Sequence, residues 1–178
     1  MTVEALRRRR PETLGQLLET YGRELQAVAY LILRDRLEAE DVVIETLLTA
    51  FERGGSIRDE RALRAWLLRV ATNEALGRRR RTARLIRLDL TPDSAGAGDL
   101  ASEATTRLSL LDGVDALPLQ MRAALVLRYY ADLSVEEVAT ALGKSPNTIK
   151  AQLQAALDRL RIHLADPVGG SVREIRHA

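Results

Sequence analysis

Three side chains late in the chain have the chemistry to read the edges of nucleic-acid bases. Asn147 and Gln154 each carry an amide that donates and accepts in parallel, which suits adenine, and Lys150 offers an ammonium to guanine or to phosphate. Ile149, Leu153, Leu157 and Leu160 form an apolar stripe at helical spacing, and Asn147, Lys150, Ala151 and Gln154 fall off it. Earlier in the chain, Asp41 and Glu45 are four apart, so on a helix both carboxylates share a face and can meet arginines of a partner helix; a solvated acidic face has the same spacing. Arg69 and Asn73 repeat the spacing. Arg78, Arg79, Arg80, Arg81, Arg84 and Arg87 crowd into ten residues, a charge block that can neutralise phosphates or simply face water. All of this is recognition chemistry. With no nucleophile–base pair, metal-ligand constellation or phosphate-cradling glycine loop, an enzyme is the least supported class, and no metal, cofactor or small-molecule substrate is expected.

The base-reading residues need a particular scaffold. Ser134 and Glu137 have capping-box spacing, Val138, Ala139 and Leu142 give a short apolar face, and Gly143 can supply a left-handed residue to end that helix. Ser145 then caps a second helix, with Pro146 in its first position. Helix, tight turn, helix lays its second helix in a DNA major groove, although a helical hairpin that only packs has the same pattern. Upstream, Leu14, Leu17, Leu18, Tyr21, Leu25, Val28, Ala29 and Ile32 recur every three or four residues. Asp35 and Glu38 open a second helix through Phe51, Gly54 and Gly55 break it, and Ser56 to Glu60 reads as a polar loop. A third helix runs from about Arg61 into the arginine block, with Leu63, Trp66, Leu67, Val70 and Ala71 inward.

Composition supports this layout. Of 178 residues, 46% are apolar and only 3% aromatic, so the core rests on Leu, Ala, Val and Ile, a helix-favouring set. There are no cysteines, which excludes disulfides and thiolate metal sites, and His163 and His177 lack partner motifs. No apolar run is long enough to span a membrane, and the basic run Arg7 to Arg10 is not followed by an apolar segment, so a cytoplasmic location is expected. After the arginine block come Asp89, Asp93, Asp99 and Glu103 in a Pro/Gly/Ser/Ala stretch without periodicity. The expectation is an all-α chain of two small helical domains, 12–87 and 107–165, joined by a flexible linker, 88–106, with the helix-turn-helix in the second.

Three blocks carry a resemblance. AEDVVIETLLTAFER, RAWLLRVATNEAL and LPLQMRAALVLRYYADLSVEEVATALGKSPNTIKAQLQAALDRLR occur in this order. Together they resemble the extracytoplasmic function class of bacterial RNA polymerase sigma factors over roughly residues 14 to 164. The resemblance implies a factor that binds core RNA polymerase and directs initiation at chosen promoters. It implies that 12–87 grips the polymerase clamp coiled coil through Asp41, Val42, Glu45, Thr46, Leu48 and Thr49. The same domain would open the −10 element through Ser56, Ile57, Arg58, Arg69, Asn73, Arg78 and Arg79. The second domain would read the −35 element through Lys144, Ser145, Asn147, Thr148, Lys150, Gln152 and Gln154. Core polymerase and promoter DNA are the implied partners, with an anti-sigma factor as a further candidate. Ile44 stands where the family usually has Gln, and Ala151-Gln152 where Ser-Arg is common, so fewer phosphate contacts are expected. Two other readings stay open: a sigma-derived polymerase- or regulator-binding protein with weakened promoter recognition, and a stand-alone helix-turn-helix regulator.

Overall fold

The computed structural model describes residues 3–8, 10, 12–57, 59–89 and 110–165, and all regular structure among them is helical. In chain order the helices are α1 (Val3–Arg7), α2 (Glu12–Leu33), α3 (Arg36–Arg53), a 3₁₀ turn (Gly54–Ser56) and α4 (Glu60–Asp89). Then come α5 over 110–115, α6 (Leu119–Leu125) running into a π turn (Val126–Tyr130), α7 (Val135–Leu142) and α8 (Pro146–Ala165). The expected linker lies outside the described residues except for Leu88 and Asp89, which belong to α4.

The helix starts follow local chemistry. Asp35 accepts the Glu38 N–H at 2.9 Å and begins α3, and Asp59 accepts the Ala62 N–H at 2.8 Å ahead of α4. At α7 the full capping box forms: Ser134 Oγ accepts the Glu137 N–H at 3.1 Å, and the Ser134 N–H donates back to the Glu137 carboxylate at 2.8 Å. Gly143 ends α7 at φ 63°, a left-handed conformation that costs a residue with a Cβ far more than glycine. Gly54 has a different reason. Its φ is an ordinary −72°, but a Cβ there would lie 2.0 Å from Leu6. The fully buried Leu6 of α1 thus plugs the corner after α3, an element that the sequence patterns do not announce.

Helices α2, α3 and α4 pack pairwise into a three-helix bundle around Leu17, Leu25, Val28, Ile32, Val42, Leu47, Leu63, Leu67, Leu68 and Ala71, all buried. Helices α5 to α8 form a second helical unit with a small cluster of its own, Val114, Leu117, Ala156 and Leu160. The two units do not stand apart. One buried cluster runs from the α2–α4 bundle through Ala123, Ala124, Leu127, Ala131 and Leu133 to Val138 and Ile149. Each unit alone is near the lower size limit for an autonomous core, and merging their apolar faces removes that shortfall.

Candidate functional site

The outward face of α3 is chemically mixed. Asp41 and Glu45 are exposed, as expected of carboxylates that could meet a partner. Between and beside them Leu37, Ile44 and Leu48 are 74%, 57% and 44% exposed, at spacings of seven and four, the seam by which one helix packs on another. Val42 and Thr46 do not belong here. Both are fully buried on the inward arc that also holds Ala39, Val43, Leu47 and Ala50, so the expected polymerase-contacting set loses these two. Thr49 is half-buried at the edge.

Asp41 already has a partner within the chain. Arg78 of α4 donates to it at 3.2 Å, to Glu74 at 3.1 Å, and pairs with Glu38 at 3.6 Å. Burial works to lower the Arg78 pKa, but the hydrogen bonds to Asp41 and Glu74 outweigh it and hold the guanidinium above its ordinary value. Arg78 is therefore occupied in binding α3 to α4, a correction to its expected place among DNA contacts, while Arg79 is exposed.

Arg69 and Asn73 are exposed on α4 and line an open groove of about 490 Å³ with Glu45, Thr49, Arg53, Trp66, Val70 and Glu74. Residues expected to meet polymerase and residues expected to meet DNA thus share one groove. Trp66, half-buried, also lines it, and base stacking on such a ring would contribute about 1–3 kcal/mol per base. In the preceding loop Ile57 is buried in the core and packs near Gly54, so its side chain is not offered to a base, again a correction. The backbone of Ser56 closes the 3₁₀ turn; its side chain and the whole of Arg58 lie outside the described residues.

Lys144 in the turn before α8, and Asn147, Thr148 and Lys150 in its first turns, are exposed. Ser145 Oγ accepts the Thr148 N–H at 3.1 Å and lies 2.8 Å from the Thr148 hydroxyl, so both hydroxyls serve the cap. Gln154 is exposed but donates its amide to both oxygens of Asp158 at 3.1 and 3.2 Å. Gln152 is half-buried, with its Oε1 turned inward and unpartnered. The free reading chemistry of α8 reduces to Asn147 and Lys150 on a helix N-terminus that itself favours phosphate.

The residues that sequence reasoning missed join the two units. Arg122, 7% exposed, donates to the carbonyls of Val114 at 3.1 Å, Ile32 at 3.0 Å and Asp115. Arg34, at φ 58° after α2, stacks over Tyr30 and pairs with Asp115 at 2.7 Å. Arg64 of α4 binds Glu24 and the Ala131 carbonyl. A lone arginine inside the apolar run MRAALVL was the one available signal for this.

Glu137 gives a pH test of the capping box. The backbone N–H of Ser134 holds its carboxyl below the usual carboxylate range, against partial desolvation, with the Ser134 side chain, Arg61 and Arg64 adding to the lowering. A depressed folded pKa means a contribution present in full above the unfolded value and lost as pH falls through the folded one. Glu137→Gln keeps an acceptor for Ser134 but no charge. We expect it to be less stable than wild type by about 0.3–1 kcal/mol at pH 7, with the two denaturation midpoints converging as pH drops below the carboxylate range.

Comparison with known proteins finds a family match for each of the two units. The family model for sigma-70 region 2 matches residues 17–85, and that for sigma-70 region 4 matches residues 107–160. The ECF RNA polymerase sigma factor SigL of Mycobacterium tuberculosis is 33% identical over 156 residues, covering 84% of this chain and 88% of that protein. The RNA polymerase sigma-E factor of Streptomyces avermitilis is 34% identical over 131 residues, 73% of each. Among solved structures, the sigma factor RpoE in complex with the anti-sigma factor NepR from Bartonella quintana superposes with TM-score 0.74 at 26% identity, covering 86% of this chain and 98% of that one.

Proposed function

The chain belongs to the extracytoplasmic function class of RNA polymerase sigma factors, and from that premise we propose a division of labour among its surfaces. It is an alternative sigma factor that binds core RNA polymerase and directs promoter-specific transcription initiation. Chain 12–87 holds the clamp coiled coil of the polymerase through α3 and opens the −10 element along α4. Chain 107–165 reads the −35 element through the start of α8. Catalysis belongs to the polymerase, and the sigma factor supplies specificity. Among the described residues no helix is long and apolar enough to cross a membrane. The work of initiation, done where the chromosome is, supports a cytoplasmic location. The similar RpoE structure holds an anti-sigma factor, and by analogy we infer such a partner here.

The observation that carries the polymerase assignment is the α3 face, an exposed Leu37/Ile44/Leu48 seam flanked by Asp41 and Glu45. Three apolar side chains aligned for helix packing and left uncovered by any described element call for a helical partner, and acidic flanks select a basic one. The reading is tested by mixing the purified chain with core enzyme and a genomic promoter library and mapping transcript starts. Transcripts from a subset of promoters are expected. Polymerase binding without transcripts would favour a sigma-derived binding protein, and DNA binding without polymerase would favour a stand-alone regulator.

Upstream recognition should be modest, because Gln152 faces inward and Gln154 is engaged with Asp158. Lys150 is then a main contact. If it neutralises a phosphate, Lys150→Ala lowers the slope of log binding constant against log salt by about 1 and weakens all upstream sequences alike. Loss confined to one sequence would mean a base contact instead, and an equal loss of core polymerase affinity would discredit the assignment.

A further inference from the structure

The corner between α3 and α4 is closed by a residue from outside the bundle. Helix α3 ends at Arg53, and the chain turns through Gly54, Gly55 and Ser56 before Asp59 caps α4. Helix α1 packs against this 3₁₀ turn. Its Leu6 is fully buried, Val3 is nearly so, and Gly54 is buried as well. A Cβ at Gly54 would collide with Leu6 Cδ2 and touch Ile57 Cδ1 at 3.7 Å, so the three residues meet at one point. The Gly54 carbonyl also accepts the Ile57 N–H at 3.1 Å, which draws the turn closed around that point. Glycine is needed there because a leucine approaches the backbone so closely. Gly55 differs, since a Cβ on it would meet open space. Five residues are too few for a free helix to persist in water, so α1 owes its form chiefly to the apolar anchors Val3 and Leu6.

The corner holds in place one end of the candidate DNA groove. Arg53, the residue before Gly54, lines the groove of about 490 Å³ with Trp66, Arg69 and Asn73. We propose that Leu6 is a positioning residue for promoter opening. From α1 it wedges the corner, fixes Arg53 and the chain that leads into α4, and so sets which −10 base the groove accepts. The proposal rests on the reading that 12–87 opens the −10 element along α4. Leu6 is fully buried and does not itself touch DNA, so its influence is geometric. An unstacked base repays its extrusion only through close stacking and hydrogen bonds, and such contacts need their partners held to about 0.5 Å. Leu6→Ala strips Cγ and both Cδ atoms from the contact and leaves a gap into which the turn can shift.

Two substitutions attack this contact from opposite sides. Leu6→Ala empties it, and Gly54→Ala, compatible with the local φ of −72°, overfills it. Combining the two returns part of the lost bulk, and Gly55→Ala adds the same methyl to open space as a control. Each full-length variant is mixed with core enzyme and a duplex pool built on a promoter from the wild-type transcript map, with its −10 segment randomised. Open complexes are then isolated and sequenced. Wild type should enrich the preferred base at a well-read position by about tenfold, and each single variant should reduce this to about twofold at the base nearest the corner. Preferences elsewhere should persist, and affinity for core enzyme, set by the α3 seam, should stay within about twofold. The double variant should regain most of the lost preference, and Gly55→Ala should match wild type. In the free chain, Leu6→Ala should speed hydrogen exchange at the Gly54 and Ile57 amides, both bonded within the corner, a readout that needs no promoter. Unchanged −10 preferences in both single variants would overturn the positioning role. So would a uniform loss at every position, the mark of a weakened fold, or an equal loss in Gly55→Ala. If wild type itself shows no −10 preference while exchange still quickens in Leu6→Ala, the −10 reading fails and the promoter role of Leu6 falls with it.

Discussion

Replacing Asp41 with arginine should lower the affinity of the chain for core RNA polymerase by roughly 10- to 100-fold, the loss expected if the α3 face docks and one member of a desolvated interfacial charge pair is reversed. Its carboxylate side chain is 63% exposed on the α3 face and bonded at 3.2 Å to Arg78, whose other partners are Glu74 and Glu38. An arginine at position 41 would confront Arg78 and any basic group of the partner with like charge. The fold should tolerate it, because Arg78 keeps two carboxylates and an exposed ion pair contributes at most about 1 kcal/mol. Helical content and denaturation midpoint are therefore expected to stay near wild type while binding, read by gel filtration or fluorescence anisotropy with core enzyme, collapses. Asp41→Asn provides the graded control, since it removes the charge without reversing it and should fall between. Unchanged affinity for Asp41→Arg would mean that polymerase does not dock on this face. Unchanged affinity for Asp41→Asn alone would place the cost in repulsion rather than in a lost attraction.

How far residues foretell this face depends on the range of the interaction. The caps were legible because each is a hydrogen bond across three residues. Asp35 to Glu38, Ser134 to Glu137 and Ser145 to Thr148 all form as their side-chain chemistry requires. The all-helical layout and the helix-turn-helix followed from the same local rules and the 3.6-residue period. Two positions depart from their expected exposure. Leu18 fits the apolar repeat of α2 yet is half-exposed, because it lies across Gly22 rather than into the bundle. Thr46 is polar by type yet fully buried, because its position, not its hydroxyl, continues the arc of Val42, Val43 and Ala50. Taking a contiguous motif as a contiguous surface brought Val42 and Thr46 into the contact set, when only every third or fourth residue of a helix faces any one way.

The arrangement of the two units was not legible at all. Arg64 and Ala131 are 67 residues apart, and Arg122 and Ile32 are 90 apart. Nothing in either neighbourhood encodes the other. An arginine among apolar residues announces only that a buried cation must find acceptors, not where they are. The same holds for Arg78. A basic block is identical in composition whether it faces phosphate or its own carboxylates, and Glu38, Asp41 and Glu74 come together only once α3 and α4 pack.

Arg122 accordingly carries the largest expected stability effect in the chain. Burial pulls its pKa below the ordinary arginine value, with Arg79 and Arg34 adding to this and Asp115 opposing it. A guanidinium keeps its proton in proteins, and this one is compensated by three backbone carbonyls and Asp115. Arg122→Met keeps most of the stem volume and removes every donor. The carbonyls of Val114, Ile32 and Asp115 are then left without this partner, and breaking a buried charged network from one side costs about 3–5 kcal/mol. Much of a small protein's total stability is of that order, so the urea midpoint should fall steeply. Arg122→Lys should recover only part, because a single ammonium cannot satisfy three acceptors held in a fan. Since the buried cluster is continuous across both units, wild type should unfold in one transition by circular dichroism and by Trp66 fluorescence alike. In Arg122→Met the two probes should separate, because Trp66 reports on the α2–α4 bundle and total helicity on both units. A loss below about 1 kcal/mol would show that Arg122 merely fills space at this junction, since an unpaired buried acceptor costs at least that much.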